Sequence, residues 1–333
     1  VNDAENRHDP DTLTAVSETA VLQRLFPRLP AADGALIGPG DDAAVLAAPD
    51  GRFVVTTDMM IHGPDFRLAW SSPFELGWKA AATNLSDVAA MGAAPTALVV
   101  AIAAPGDTEV TTFEGIADGL REACLALAPG CGVVGGDLSV SSTMTIAVTA
   151  FGDLGGRRPV LRSGARPGDV VAHAGALGEA AAGLALLFAD AVDADGEPDA
   201  GRAAAARIRH PRLIEAQLRP RPPIAAGTLA ADAGATAMLD VSDGLAFDAA
   251  RIARASGVGI DLDAQALGID VERALGGGED HGLLATFPPD AELPAVFRVI
   301  GRVTAGAGTL FVDGVEHTPV GWDPYAGWDG VAG

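Results

Sequence analysis

The sequence predicts an α+β protein of two lobes, each with helices packed against a mixed or mostly antiparallel sheet. Three observations carry that expectation. Short apolar or β-branched runs and longer runs with helical spacing recur along the 333 residues without strict βαβ alternation. The Gly/Arg/Pro-rich stretch from Gly152 to Pro159 separates two series of such runs. The length suits two domains of roughly 150 residues each, which can bury a core without disulfides or structural metal.

The polar, Pro-containing residues 1–11 read as a disordered arm. From Thr12 to Phe26, Leu13, Val16, Val21, Leu22 and Leu25 fall at roughly helical spacing behind an Asp11/Thr12 cap. Ala43 to Ala48 and Phe53 to Thr57, separated by Pro49-Asp50-Gly51, read as a hairpin. Phe74 to Met91 is expected as a long helix ending at Gly92, Thr96 to Ala103 as a buried strand and Val110 to Leu127 as a helix. Strands are expected at Gly132 to Val134 and Thr143 to Phe151. The second half repeats the plan, with strands at 169–173, 235–241, 260–262, 283–287, 297–303 and 310–312. Its helices are expected at 178–189, 203–209, 224–233 and 245–255. The expected division is an arm over 1–11, a first domain over 12–155 and a second over 156–333.

Asp and Glu number 44 against 22 Lys and Arg, a formal charge of -22. With no basic cluster, that field repels a polyphosphate backbone and argues against nucleic acid or an anionic membrane as partner. The longest apolar stretch, Ala93 to Pro105, is short of the roughly 20 residues a spanning helix needs. No signal-peptide pattern opens the chain, so a soluble, cytoplasmic protein is expected. The only cysteines, Cys124 and Cys131, match no zinc or redox spacing and read as plain thiols.

Five acidic clusters stand out from the solvated background: Gly40-Asp41-Asp42, Thr56-Thr57-Asp58, Asn84-Leu85-Ser86-Asp87, Gly135-Gly136-Asp137 and Asp240-Val241-Ser242-Asp243-Gly244. Each sets Asp beside Gly, Ser or Thr at or near an apolar strand end or in a buried helix, where an unpaired carboxylate costs several kcal/mol. One lysine, Lys79, cannot neutralise so many, and an all-oxygen donor set without His or Cys spacing favours magnesium over zinc. Magnesium recruits phosphates, which points to nucleotide chemistry. The acids are too dispersed for an EF-hand, Gly77-Trp78-Lys79-Ala80 is no P-loop, and the protein-kinase motifs are absent. His8, His62, His173, His210, His281 and His317 share no catalytic spacing and read as structural or solvated. Trp322, Tyr325 and Trp328 suit either packing or stacking on an aromatic ligand.

In order, these clusters resemble the thiamine-monophosphate kinase family, within the superfamily of aminoimidazole ribonucleotide synthetase, selenophosphate synthetase and the carbamoyl-handling hydrogenase maturation factor. The resemblance covers roughly residues 35 to 328. It adds Gly38-Pro-Gly-Asp-Asp-Ala-Ala-Val45, Thr56-Thr-Asp-Met59, Arg162-Ser-Gly-Ala-Arg-Pro-Gly-Asp169 and Gly277-Gly-Glu-Asp280. It implies the two-lobed aminoimidazole ribonucleotide synthetase-like fold. It also implies ATP- and magnesium-dependent phosphorylation of thiamine monophosphate by direct in-line transfer, and a homodimer built through the first lobes with ATP between lobes. Residue by residue, it makes Asp42, Thr56, Thr57, Asp58, Asp87, Asp137, Asp240 and Asp243 metal ligands, directly or through water. Gly136, Asp137, Arg162 and Ser242 become ATP contacts, and Glu279 with an aromatic such as Tyr325 becomes the thiamine site.

Such a reaction needs no protein base, because the acceptor phosphate, with a second pKa of about 6, is already ionised at neutral pH. One departure is Gly63-Pro64-Asp65-Phe66, where the family carries Gly-x-His-Phe; it leaves Asp65 as a candidate substrate contact. The cysteine of selenophosphate synthetase has no counterpart before Cys124, and that of the carbamoyl-handling factor none in Trp322 to Gly333. A metal-dependent phosphohydrolase, or another ATP-using member of the superfamily, is the alternative.

Overall fold

The computed structural model describes residues 11–12, 15–16, 18–39 and 43–322. The elements run α1 (Glu18–Leu25), a 3-10 turn (Phe26–Arg28), β1 (Ala35–Ile37), β2 (Val45–Leu46), β3 (Val54–Ile61), α2 (Pro73–Ala90), β4 (Ala94–Ala104), α3 (Val110–Leu127), β5 (Gly132–Val140) and β6 (Thr145–Asp153). They continue with β7 (Val170–Ala174), α4 (Glu179–Asp190), α5 (Ala200–Arg209), α6 (Pro211–Leu218), α7 (Ile224–Asp232), β8 (Ala237–Val241), α8 (Leu245–Ser256) and β9 (Gly259–Leu262). The last are α9 (Ala264–Leu267), α10 (Val271–Gly276), β10 (Gly282–Phe287), β11 (Arg298–Thr304), β12 (Leu310–Val312) and β13 (Val315–Glu316).

The first lobe carries a four-stranded sheet in the order β3-β6-β4-β5, and the second a seven-stranded sheet in the order β13-β12-β9-β11-β7-β10-β8. Both are mixed: β4 and β5 pair in parallel, as do β12 and β9, while the other ladders of these sheets are antiparallel. The α+β expectation holds. Among the described residues no helix is long and apolar enough to cross a membrane.

The hairpin expected between residues 43 and 57 does not form. The short β2 pairs with β1, whereas all eight residues of β3 pair with β6. Eight ladder positions bury far more than a two-residue arm can, so the long-range partner wins over the local turn. β5 is also longer than expected, and Gly135-Gly136-Asp137 lies inside the strand rather than at its end. Helices α6, α9 and α10 were not foreseen.

Helix α2 is the central element. Pro73 occupies its first turn, and Ser72 and Glu75 form a reciprocal capping box at its start. Burial on nearly every side explains its near-continuous apolar and small-residue pattern. It lies against α3 at very short range, because a Cβ at Gly77 would stand 2.0 Å from the Ile116 carbonyl oxygen, and one at Gly119 2.0 Å from that of Phe74. One apolar cluster runs from α2 and the first sheet into Ala172, Met238, Leu283 and Phe287 of the second, so α2 sits where the two lobes share a core.

Candidate active site

Strand alternation decides which residues of β3 and β8 meet α2. On β3, Thr56, Asp58 and Met60 are the more buried set, while Val55, Thr57, Met59 and Ile61 are exposed on the open face. Thr56 donates to the Asp87 carboxylate at 2.9 Å, and the backbone N–H of Asp58 donates to the Asn84 side chain at 3.0 Å, tying β3 to α2. On β8, Leu239 and Val241 belong to the core around α8, which leaves Asp240 toward α2. Ser86 of α2 donates to Asp240 at 3.0 Å, and the His281 Nδ1 stands 3.2 Å from the same oxygen.

Asp58, Asp87 and Asp240 thus face one another across α2, and their charges are not balanced. Burial first, then Asp240 and Asp58, push the Asp87 carboxyl up to about 7. Burial and Asp240 also raise Asp58, with Asp243 and Asp65 adding to the effect. Asp243 is paired with Arg251 at 2.7 Å, and Arg251 also holds Asp248. Burial nonetheless pushes Asp248 up to about 7, Asp240 and Asp243 adding to it while Arg251 opposes. For His281, burial alone would lower the pKa, but the hydrogen bond and charge of Asp240 hold it above its usual value.

Beside this cluster opens a cavity of ≈ 490 Å³, lined among others by Asp65, Arg67, Trp70, Lys79, Phe188, Gln217, Ser242, Glu279 and Trp322. Glu279 has a left-handed backbone (φ 66) and is held from both sides, by the Lys79 Nζ at 2.8 Å and by the Gln217 amide. Burial alone would raise its pKa, but Lys79 and Gln217 bring it below the usual carboxylate range. Arg67 packs over both the Trp70 and Phe188 rings, 4.7 and 4.8 Å from their centroids, and the two rings meet edge to face.

The other expected site residues are placed differently. Met59, Ala147, Ala101 and Asp137 are successive ladder partners across the first sheet. Asp137 therefore lies on the open face with Met59, three strand spacings or about 14 Å away. Thr57, also on that face, donates to the Val148 carbonyl oxygen at 2.9 Å. Gly136 approaches β4 so closely that a Cβ would lie 1.9 Å from the Val100 carbonyl oxygen. Arg162 is exposed, its carbonyl held by Ser256 at the end of α8. Asp65 accepts from the Ile61 N–H at 2.7 Å and caps its own loop, and burial raises its pKa. The nearby His62 ring lies 5.6 Å from that of Phe66. Asp42 and Tyr325 lie outside the described residues.

The chain matches the AIR synthase related protein N-terminal domain over residues 40–154 and the corresponding C-terminal domain over 166–313. The thiamine-monophosphate kinase of Mycobacterium tuberculosis is 45% identical, over 95% of this chain and 92% of its own length. The chain belongs to the thiamine-monophosphate kinase family. The family member from Corynebacterium glutamicum is 42% identical over 85% of this chain and 87% of its own length. AaThiL complexed with AMPPCP and TMP superposes with a TM-score of 0.70 at 35% identity, over 85% of this chain and 90% of that one.

Four residues that sequence reasoning passed over stand in this family member's candidate site: Lys79, Ser86, Gln217 and His281. Two signals pointed to them: the solitary Lys79 in α2, and the Asn84-Leu85-Ser86-Asp87 cluster, which contains Ser86. Gln217 lies on the unforeseen helix α6, and His281 follows Asp280 with no spacing that marks it.

Proposed function

We propose that the protein transfers the γ-phosphoryl group of ATP directly, in line, to the phosphate of thiamine monophosphate, giving thiamine diphosphate. The observation that carries this reading is the juxtaposition of an uncompensated carboxylate cluster with an aromatic- and Glu-lined cavity in a member of this family. Lys79 and Ser86 are seven residues apart on α2, about 10 Å along its axis. The helix thus separates a ring-binding end from a phosphate end by about the length of a small phosphate ester.

Asp58, Asp87, Asp240 and Asp243, with Thr56, are the oxygen donors that would hold magnesium, and burial together with the charge of Asp240 raises the Asp58 and Asp87 carboxyls, a cost that a hard divalent cation would relieve. Among the described residues no three such side chains stand together around one ion. Magnesium bound there would neutralise the phosphate charge. The chain's own work is alignment. Ser86 and His281 fix Asp240, Thr56 fixes Asp87, and Asn84 fixes the backbone at Asp58. The acceptor phosphate is a nucleophile without a base. Glu279 offers its carboxylate to thiamine, whose thiazolium ring is cationic, with Trp322 at the cavity edge and Asp65 beside it.

ATP contact by Gly136, Asp137, Arg162 and Ser242 rests on the family resemblance, and of these only Ser242 lines the cavity of the single chain. We assign the open sheet face to a homodimer, because Phe53, Val55, Met59 and Ile61 are exposed on or beside it. Thr57 and Asp137 then lie at the boundary between copies. Met59→Asp should turn a dimer into a monomer by light scattering; a wild-type monomer at micromolar concentration overturns the assignment.

The activity is tested by incubating the protein with ATP and magnesium, with and without thiamine monophosphate. Thiamine diphosphate formed only with the acceptor supports the reading. Equal release of phosphate without it makes the protein a phosphohydrolase instead.

A further inference from the structure

We propose that Lys79 is the positioning residue of the thiamine site: with Gln217 it orients the Glu279 carboxylate that receives the thiamine rings. The inference rests on the proposed function and deepens it.

Lys79 is the chain's only lysine, and it is buried at 5% exposure in the middle of α2. A buried ammonium is costly unless paired, and the only ion pair it makes among the described residues is with Glu279 Oε1, at 2.8 Å. The other Glu279 oxygen accepts from the Gln217 amide. Gln217 is itself buried, and its Oε1 has no partner among the described residues. An orphaned acceptor is a cost that packing alone does not explain, and it follows from turning the NH2 toward the carboxylate. Glu279 also holds a left-handed backbone conformation that a non-glycine residue rarely adopts.

Two helices of different lobes and one strained loop therefore converge on a single carboxylate, and its side chain remains one-third exposed at the cavity wall. A structural ion pair would not need that exposure. A carboxylate meant to receive a cationic ring needs both a fixed direction and an open side, and this arrangement supplies them. Among the described residues Lys79 forms an ion pair with Glu279 alone, so its influence on the reaction passes through Glu279.

Replacing Lys79 by Met keeps the length of the stem and removes the cation. Lys79→Met should raise the KM for thiamine monophosphate by roughly tenfold or more, with kcat lowered less and the KM for ATP within about twofold. Lys79→Met in the Glu279→Gln background should add little to Glu279→Gln alone, since the carboxylate it orients is gone. Calorimetric titration with thiamine, which lacks the phosphate, should show the same loss and the same non-additivity.

An unchanged KM for thiamine monophosphate, equal losses for both substrates, or full additivity with Glu279→Gln overturns the proposal. If Lys79→Met fails to fold, the double variant decides: it must fold and match Glu279→Gln, and its failure to fold makes Lys79 a structural residue. A wild-type protein that binds thiamine in a Lys79-dependent manner but makes no diphosphate would overturn the proposed function while leaving this inference standing.

Discussion

At the Lys79 end of α2 the charges are balanced within the chain, and at the Asp87 end, about two turns on, they are not. Lys79 and Gln217 bring Glu279 below the usual carboxylate range, whereas burial, reinforced by the charge of Asp240, raises Asp58 and Asp87. Both groups are partly buried and both pack on the same helix. The difference is the source of the neutralising charge. A pocket for a cationic ring can be completed by side chains, because its ligand needs one oriented anion. A site for two mutually repelling phosphates must hold a surplus of negative charge until cations arrive, and protein cations placed there would compete with them.

The largest effect expected from this contrast is on turnover. Asp58→Asn and Asp87→Asn should each lower kcat by at least about 100-fold while the protein stays folded, since each removes a charge where the proposed transfer would bring phosphates together. Steady-state kinetics of a folded variant at limiting magnesium would erase the contrast if activity stayed near wild type.

Next in size is a pH dependence of stability. Asp87 and Asp248 titrate at about 7 in the folded chain and about 4 when unfolded. Between those values the folded state keeps protons that the unfolded state has released. The stabilising contribution is therefore full below pH 4 and is lost as pH rises to 7. Ligand-free protein should melt higher at pH 5 than at pH 7.5, and Asp87→Asn should flatten the slope. Magnesium with ATP should raise Tm most at pH 7.5, and EDTA should abolish the shift. A ligand-free melting temperature that rises across this window would show that the cluster is neutralised internally.

Glu279→Gln probes the balanced end. It should raise the KM for thiamine monophosphate about tenfold and leave that for ATP nearly fixed; equal losses would make Glu279 a structural residue.

The smallest effect separates adjacent residues. Thr56→Val removes a hydroxyl bonded to Asp87 and should cost a few-fold in kcat, while Thr57→Val, on the open face, should cost less. The opposite order in paired kinetics would place the phosphates on the other side of the sheet.

Much of this was legible in the chain. Helix α3 was expected over Val110 to Leu127 and is found there, and α2 was expected to within a residue at each end, because cap and burial signals are local. The acidic motifs identified the family before any coordinates. The hairpin at residues 43–57 failed because its strands have better partners elsewhere, and Gln217 was passed over because a glutamine on an unexpected short helix carries no signal of its own. Neighbouring residues of a strand face opposite ways, so Thr57 does not share the face of Thr56 and Asp58, which adjacency in the sequence does not reveal.

What the sequence determined by itself is chemistry: a surplus of carboxylates in glycine- and hydroxyl-rich motifs, a single lysine, and a set of elements whose periodicities are local. Which carboxylates share a space is a tertiary decision. It depends on ladder register, which sends Asp58 and Asp137 to opposite faces of one sheet. It depends also on the close crossing of α2 at Gly77 and Gly119, which sets that helix between the lobes. Charges interact through space and not along the chain, so the balanced and unbalanced ends of α2 exist only after the fold has brought Glu279 to Lys79 and Asp240 to Ser86.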